Sequence, residues 1–415
     1  MIPHIGLASS AEKPENSSSA QEDPLRNITV NWPQFRGPQR DGHVPTQPDH
    51  KAFSELPSMR WKVACGAGHS SIITHGQQVI TLEQRGNRES ITARHLRDGS
   101  ELWEVSENTR WDDMMSGEGP RSTPTLANGK IYSLFSNGVL ACIDPTLGKT
   151  MWKTSVIEED YDFPEWGIST SPLIWKNQVI VNPGGESGAV KSYSVQTGKL
   201  LWQSQLSGRG VYLSPSILTL LGEDHLITAV TGKIVSLDPH TGKTRWEHPW
   251  KIFLNNAQIV QPIALSSNSF LLAAGYGKGA ECIAISRAPE TGAYLLESRW
   301  NSKDLKAKFS NPVLKDGYLY GFSENLLVCL QAGTGKLMWR GKKYGYGRIL
   351  VCGEQLIILG NTGMLSVVDA SPKNFHEVFS EPLLSDTRCW NGPALTNGYL
   401  IARNGEEIAC FDWGK

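Results

Sequence analysis

SLDPHTGKTRW, residues 236–246, decides the fold. It reads as the end of one strand, a tight turn and the start of a second strand, with Trp246 four residues past Gly242. The same signature recurs as CIDPTLGKTMW ending at Trp152, YSVQTGKLLW ending at Trp202 and CLQAGTGKLMW ending at Trp339. Turn glycines fall at Gly99, Gly148, Gly198, Gly242, Gly292 and Gly335, with spacings of 49, 50, 44, 50 and 43 residues. Gly414 comes 79 residues after Gly335, room for two periods. The degenerate VVDASPKNFHEVF at 367–379 supplies the missing turn, with Lys373 or Asn374 in place of glycine and Phe379 in place of tryptophan. Eight turns at a period of about 40–50 residues predict a propeller or a solenoid.

One period resolves into strands. STPTL (122–126), KIYSLFS (130–136), VLACID (139–144) and KTMWKT (149–154) are short runs rich in Tyr, Val and Ile, separated by Asn-Gly and other glycine turns. That is the pattern of four antiparallel strands, one propeller blade. In the quoted turn, Asp accepts from turn amides, Gly takes the positive φ of a bulged hairpin, and Trp lays a large flat surface on the last strand. Its indole N–H then needs a backbone acceptor on the neighbouring turn. Trp103, Trp152, Trp202, Trp246 and Trp339 are therefore assigned to blade docking rather than to ligand binding. MRWKV at 59–63 is an outer strand without inner partners, and IACFDWGK at 408–415 lacks an outer strand. Joined, they make an eighth blade and remove the exposed edges. The expectation is an all-β, eight-bladed β-propeller of four-stranded antiparallel blades over residues 58–415, after a disordered or loosely docked lead-in over 1–57.

The composition fits. Gly 41 and Trp 14 supply turns and anchors, and a formal net charge of -1 gives no general attraction to nucleic acid. No run of about 18 apolar residues exists, so no transmembrane segment is expected. GLASSAEKP at 6–14 reads as the tail of a truncated export signal or as a plain polar terminus, and NSS at Asn16 and NIT at Asn27 have the form of glycosylation sequons. The seven cysteines form no CxxC or Cys/His framework, and no metal site is predicted. Cys142 and Cys410 each stand two residues before a turn aspartate, Cys329 two before Gln331, and Ser236 two before Asp238. One strand register held by Cys or Ser predicts a small buried packing site. GYGKG at 275–279 lacks the strand-to-helix setting of a phosphate loop and reads as a blade turn.

The motif around Asp238, Thr241, Gly242, Lys243 and Trp246 resembles the tryptophan-docking repeat of the quinoprotein-like (PQQ-repeat) propellers. NWPQFRGPQRDG (31–42), GEGPRSTPTL (117–126), WGISTSPL (166–173) and CWNGPAL (389–395) are similar to the PQQ-binding-like propellers of planctomycete-type bacteria. That resemblance implies export, to the periplasm or beyond, and little chemistry. Quinoprotein alcohol dehydrogenases carry PQQ and calcium in the funnel beneath a vicinal disulfide; this chain has no adjacent cysteines. The BamB-type assembly proteins, closer in size, imply a cofactor-free partner-binding role.

A propeller's outer-to-inner loops ring one mouth of its channel, and loops on a rigid scaffold carry function. Here they end just before Pro124, Pro172, Pro215, Pro262, Pro312 and Pro393. Arg121, Trp166, Tyr212, Lys308, Arg348, Arg388 and Trp390 stand at those ends, with His69 and Tyr346 at equivalent places, and they are predicted to line one depression at the funnel mouth. Arginine forks and aromatic faces there suit a planar or anionic small molecule. Acidic residues crowd 104–121 and 153–170, and basic ones 299–310 and 340–348. No catalytic residue is assigned and no cofactor is predicted. The sequence favours a non-catalytic binding scaffold, monomeric, with a protein partner or a small planar or anionic ligand. The alternative is a quinoprotein-type oxidoreductase with a reduced site, holding PQQ and calcium.

Overall fold

The computed structural model describes residues 31–45, 52–253 and 257–413. The signal-like 6–14, the sequons at Asn16 and Asn27 and the turn glycine Gly414 lie outside the described residues. Eight four-stranded antiparallel sheets form, and no α-helix occurs among the described residues. Blades 1 to 7 occupy residues 73–107, 125–155, 173–203, 216–249, 263–302, 313–343 and 348–382. Blade 8 joins Ala394–Thr396, Tyr399–Arg403 and Glu407–Asp412 to the outer strand Ser58–Ala64. Ser58 pairs with Asp412 and Ala64 with Glu407, so the two ends of the chain close the ring as the sequence predicted. Among the described residues no helix is long and apolar enough to cross a membrane.

Strand composition follows position in the blade. Central strands are covered on both faces and read as continuous apolar runs, such as Gln355–Leu359, buried at every position. Outer strands alternate, as in Lys149–Ser155, where every second residue is exposed. The core is a set of layers between blades; Leu82 and Ile91 of blade 1 meet Ile131 and Phe135 of blade 2 in one of them.

At five of the eight seams a tryptophan from one blade is laid over the glycine of the next blade's turn. Trp61, Trp103, Trp152, Trp202 and Trp300 lie so close under Gly99, Gly148, Gly198, Gly242 and Gly335 that a Cβ there would come within 2.4–2.7 Å of the ring. The indole N–H of Trp61, Trp103, Trp152, Trp300 and Trp339 donates to a turn carbonyl of the next blade, that of Leu96, Pro145, Val195, Ala332 and Ser371. Directly across the strand pair from each aromatic stands a small residue: Ala93, Cys142, Ser192, Ser236, Cys282, Cys329 and Cys410, with Val367 opposite Phe379. The Cys/Ser register is this packing site, and the cysteines are free thiols.

Two tryptophans depart from expectation. Trp246 has no glycine beneath it. The blade 5 hairpin is longer, and a Cβ at Gly292 would meet nothing within 4 Å. Trp246 stacks instead on Phe270 of blade 5 at 5.4 Å and donates to His225 Nδ1 at 3.3 Å. Trp300 does the docking for blade 5; its eight-residue distance from Gly292 hides it from the repeat pattern. GYGKG is the turn between two strands of blade 5, ending at Ala274 and beginning at Gly279.

Residues 31–45 are not loosely held. Trp32 is 1% exposed and belongs to the core between blades 7, 8 and 1. The segment runs across the axis: Arg40 donates to the Pro172 carbonyl of the loop before blade 3, Arg36 to that of Pro312 before blade 6, each at 2.8 Å. His43 then bridges Val351 of blade 7. Both guanidiniums are buried without an ion-pair partner among the described residues, and burial pulls Arg36 down to about 10 and Arg40 to about 9.

Gly198→Ala and Gly292→Ala separate ring packing from backbone strain, since both glycines have φ near 70°. Gly292→Ala is expected to cost about 1 kcal/mol, the strain of a left-handed alanine. Gly198→Ala, forced against the Trp152 ring, is expected to cost about 2–4 kcal/mol. Urea unfolding of the two variants decides it; equal losses would mean the tryptophan does not pin the turn.

Candidate functional site

The inner strands begin with a ring of inter-blade hydrogen bonds. The residue before each proline supplies it. The Ser71 amide donates to Thr123 Oγ1 at 3.0 Å, Thr123 to Ser171 Oγ at 3.0 Å, and Ser171 to Ser214 Oγ at 2.9 Å. Gln261 donates to Asn311 Oδ1 at 2.7 Å, and Gly392 returns to Ser71 Oγ at 2.9 Å. Proline cannot donate, so the preceding amide is the last one free to cross to the neighbour.

Above this ring is a cavity of about 290 Å³, and Phe35 of the axial segment is part of its wall. Arg121, Trp166, Tyr212, Lys308, Arg348 and Trp390 line it, together with His69 and Tyr346. Arg388 is not in the lining; its guanidinium stands 4.7 Å over the Trp390 ring. Phe35, Tyr276 and Phe309 complete the aromatic wall and were not singled out from sequence. Phe309 follows Lys308 directly, and Tyr276 sits in the blade 5 turn, where the side-chain-free Gly275 lets the loop approach Lys308.

Arg121 is matched within its own loop. It pairs with Asp113 and donates to the carbonyls of Gly119 at 2.7 Å and Gly117 at 2.9 Å. Glu118, nearby in the same loop, pairs with Arg110. Burial lowers Arg121 from the ordinary arginine value. Desolvation acts to raise the Asp113 carboxyl, but the Ser116 amide and hydroxyl and Arg121 outweigh it and hold it low. Trp166 and Tyr212 pack with their rings tilted by 34° and centroids 4.7 Å apart, and Trp166 donates its amide to the Tyr212 hydroxyl at 3.2 Å. His69 donates from Nε2 to the Ser116 carbonyl at 2.8 Å, while Nδ1 is buried without a partner among the described residues. Burial pushes this imidazole down to about 3.

The donor set does not fit a calcium-bearing quinone site. Among the described residues no three His, Cys, Asp or Glu side chains come together around a metal position, and no step through such a group follows.

Eight blades, tryptophan docking and a walled axial cavity define a PQQ-type β-propeller. A family model described as outer membrane protein assembly factor BamB matches residues 87–341, and the chain belongs to that family. The BamB of Shewanella oneidensis is 21% identical over 320 residues, 74% of this chain and 78% of its own length. That of Yersinia pestis is 23% identical over 269 residues, 61% of this chain and 62% of its own. Among solved structures, BamB from Moraxella catarrhalis superposes with a TM-score of 0.60 at 15% identity, covering 85% of this chain and 97% of that one. Quinohemoprotein alcohol dehydrogenase from Comamonas testosteroni superposes with a TM-score of 0.66 at 12% identity, covering 94% and 82%. At these identities the superpositions establish the fold.

Unfolded, His69 titrates near pH 6.5; folded, near 3. Between those values the unfolded chain binds more protons, so stability is present above pH 6.5 and declines as pH falls. The His69 contribution lost between pH 6.5 and 5 is roughly 1–2 kcal/mol. Thermal unfolding of His69→Gln should show a correspondingly flatter pH profile over that interval. An unchanged slope would mean that His69 is not held neutral by its burial.

Proposed function

We propose that this chain is an exported, periplasmic, non-catalytic scaffold that engages a protein partner across the loop-rich mouth of the propeller. The distribution of charge around that mouth carries the reading. The loop after blade 2 presents Glu158, Glu159 and Asp160, all exposed and in no ion pair among the described residues. The segments after blades 5 and 6, across the ring, present Lys306 and Lys343, also unpaired. A face acidic on one side and basic on the other fixes a partner's orientation and raises its association rate. Family membership supports the same reading, since the relatives are named for outer-membrane protein assembly; on this proposal the partner is a component of that process. The oxidoreductase alternative shares the fold, but among the described residues no three His, Cys, Asp or Glu side chains gather for its metal.

Photocrosslinkers at Glu159, at Lys343 and at Asn128, which lies in a turn on the other face, test the reading in the native host. One common partner is expected at Glu159 and Lys343, with a yield that falls as salt rises. A product at Asn128 and none at the mouth would overturn it.

A further inference from the structure

The cavity wall built by the loops after blades 5, 6 and 7 carries positive charge that the chain does not neutralise. Lys308 Nζ lies 4.9 Å from the Tyr276 ring, 5.5 Å from Phe309 and 4.7 Å from Tyr346. Among the described residues it has no ion-pair or hydrogen-bonding oxygen. Arg348 donates from Nε to the Trp390 carbonyl at 2.7 Å and from Nη1 to the Phe309 carbonyl. Its Nη2 is left without an acceptor among the described residues. Because Phe309 adjoins Lys308, both cations belong to one patch of the wall. The rings there form a continuous surface: Trp390 to Phe309 at 4.9 Å and Phe309 to Tyr346 at 5.0 Å.

Both cations are half-buried in the wall; withdrawing a cation from water without a counter-charge is unfavourable, and the carboxylate that meets Arg121 has no equivalent for these two among the described residues. We infer that the cavity is a binding site for a small planar aromatic molecule bearing one oxyanion, a carboxylate or a phosphate. The oxyanion meets Arg348 Nη2 and Lys308 Nζ, and the ring lies along the Trp390, Phe309 and Tyr346 wall. Charge-assisted N–H···O contacts supply the anchor, and flat ring faces select against puckered molecules. A volume of about 290 Å³ accommodates an occupant of one or two fused rings. No metal is required. The inference rests on the reading of the mouth as the working face, but it concerns the channel interior rather than the loop tips.

Calorimetric titration of the full chain with 2-naphthoate, 2-naphthyl phosphate, neutral 2-naphthalenemethanol and inorganic phosphate tests it. One or both aromatic oxyanions should bind, at least tenfold more tightly than the neutral alcohol and than inorganic phosphate; which of them binds identifies the oxyanion. Arg348→Gln and Lys308→Gln should each weaken binding about ten- to a hundredfold, with Arg245→Gln, remote in blade 4, unchanged. If Arg348→Gln does not fold, Lys308→Gln and Arg348→Lys carry the comparison. No binding of either oxyanion at millimolar concentration, equal binding of the neutral alcohol, or full affinity in the folded variants would each overturn the site. Loss of the loop-tip crosslinks with naphthoate binding intact would instead overturn the scaffold reading alone.

Discussion

A tryptophan ring pressed against the turn glycine of the next blade is what makes eight sheets into one body. A single four-stranded blade has two apolar faces and cannot cover either alone. The ring covers part of one face, and its indole N–H takes up a turn carbonyl that would otherwise be stranded at the seam. The geometry imposes its own requirements on the sequence. A turn residue with a side chain would strike the ring, and the strand residue opposite must be small, hence Ala93, Cys142 or Ser192. Where the glycine is out of reach, at blades 4 and 5, the tryptophan finds an aromatic partner and a histidine instead.

A second device acts at the axis. The serine, threonine, glutamine and asparagine side chains before the inner-strand prolines link successive blades where tryptophans cannot reach. Residues 32–44 then cross the interior and hold the carbonyls of blades on opposite sides with Arg36 and Arg40. Arg36 donates to three backbone carbonyls, and Arg40 to those of Ser171 and Pro172 and to Gln34 Oε1, with its Nε buried and without a partner among the described residues. Arg348 is partly satisfied by carbonyls, and Lys308 meets ring faces.

The propeller was legible because its determinants are local and periodic. A Gly-to-Trp distance of four residues reports a bulged hairpin wherever it occurs, and Phe379 could be placed from register alone. Trp300 escaped because a longer hairpin moves it out of phase. The axial segment escaped for a different reason: WPQFRGPQR has no repeat partner, and its contacts reach residues 42 to 276 positions away. Six of the seven mouth residues converge as positional reasoning required, since inner strands start at the axis. Arg388 was displaced by its stacking on Trp390. Phe35, Tyr276 and Phe309 could be found only once the chain's crossing of the axis and the loop's approach at Gly275 were known.

Closing the ring with a strand from each end of the chain also sets an order of events during synthesis. Ser58–Ala64 is made roughly 340 residues before its partner Glu407–Asp412. At about 5–20 residues per second that interval is roughly 15–70 s, during which the strand has an unpaired edge. Seven blades can stack meanwhile, each on the one before, but the final seam and the cavity it encloses form only when the carboxyl-terminal strand arrives. A chain interrupted before Glu407 therefore leaves a nearly complete stack with two unpaired strand edges.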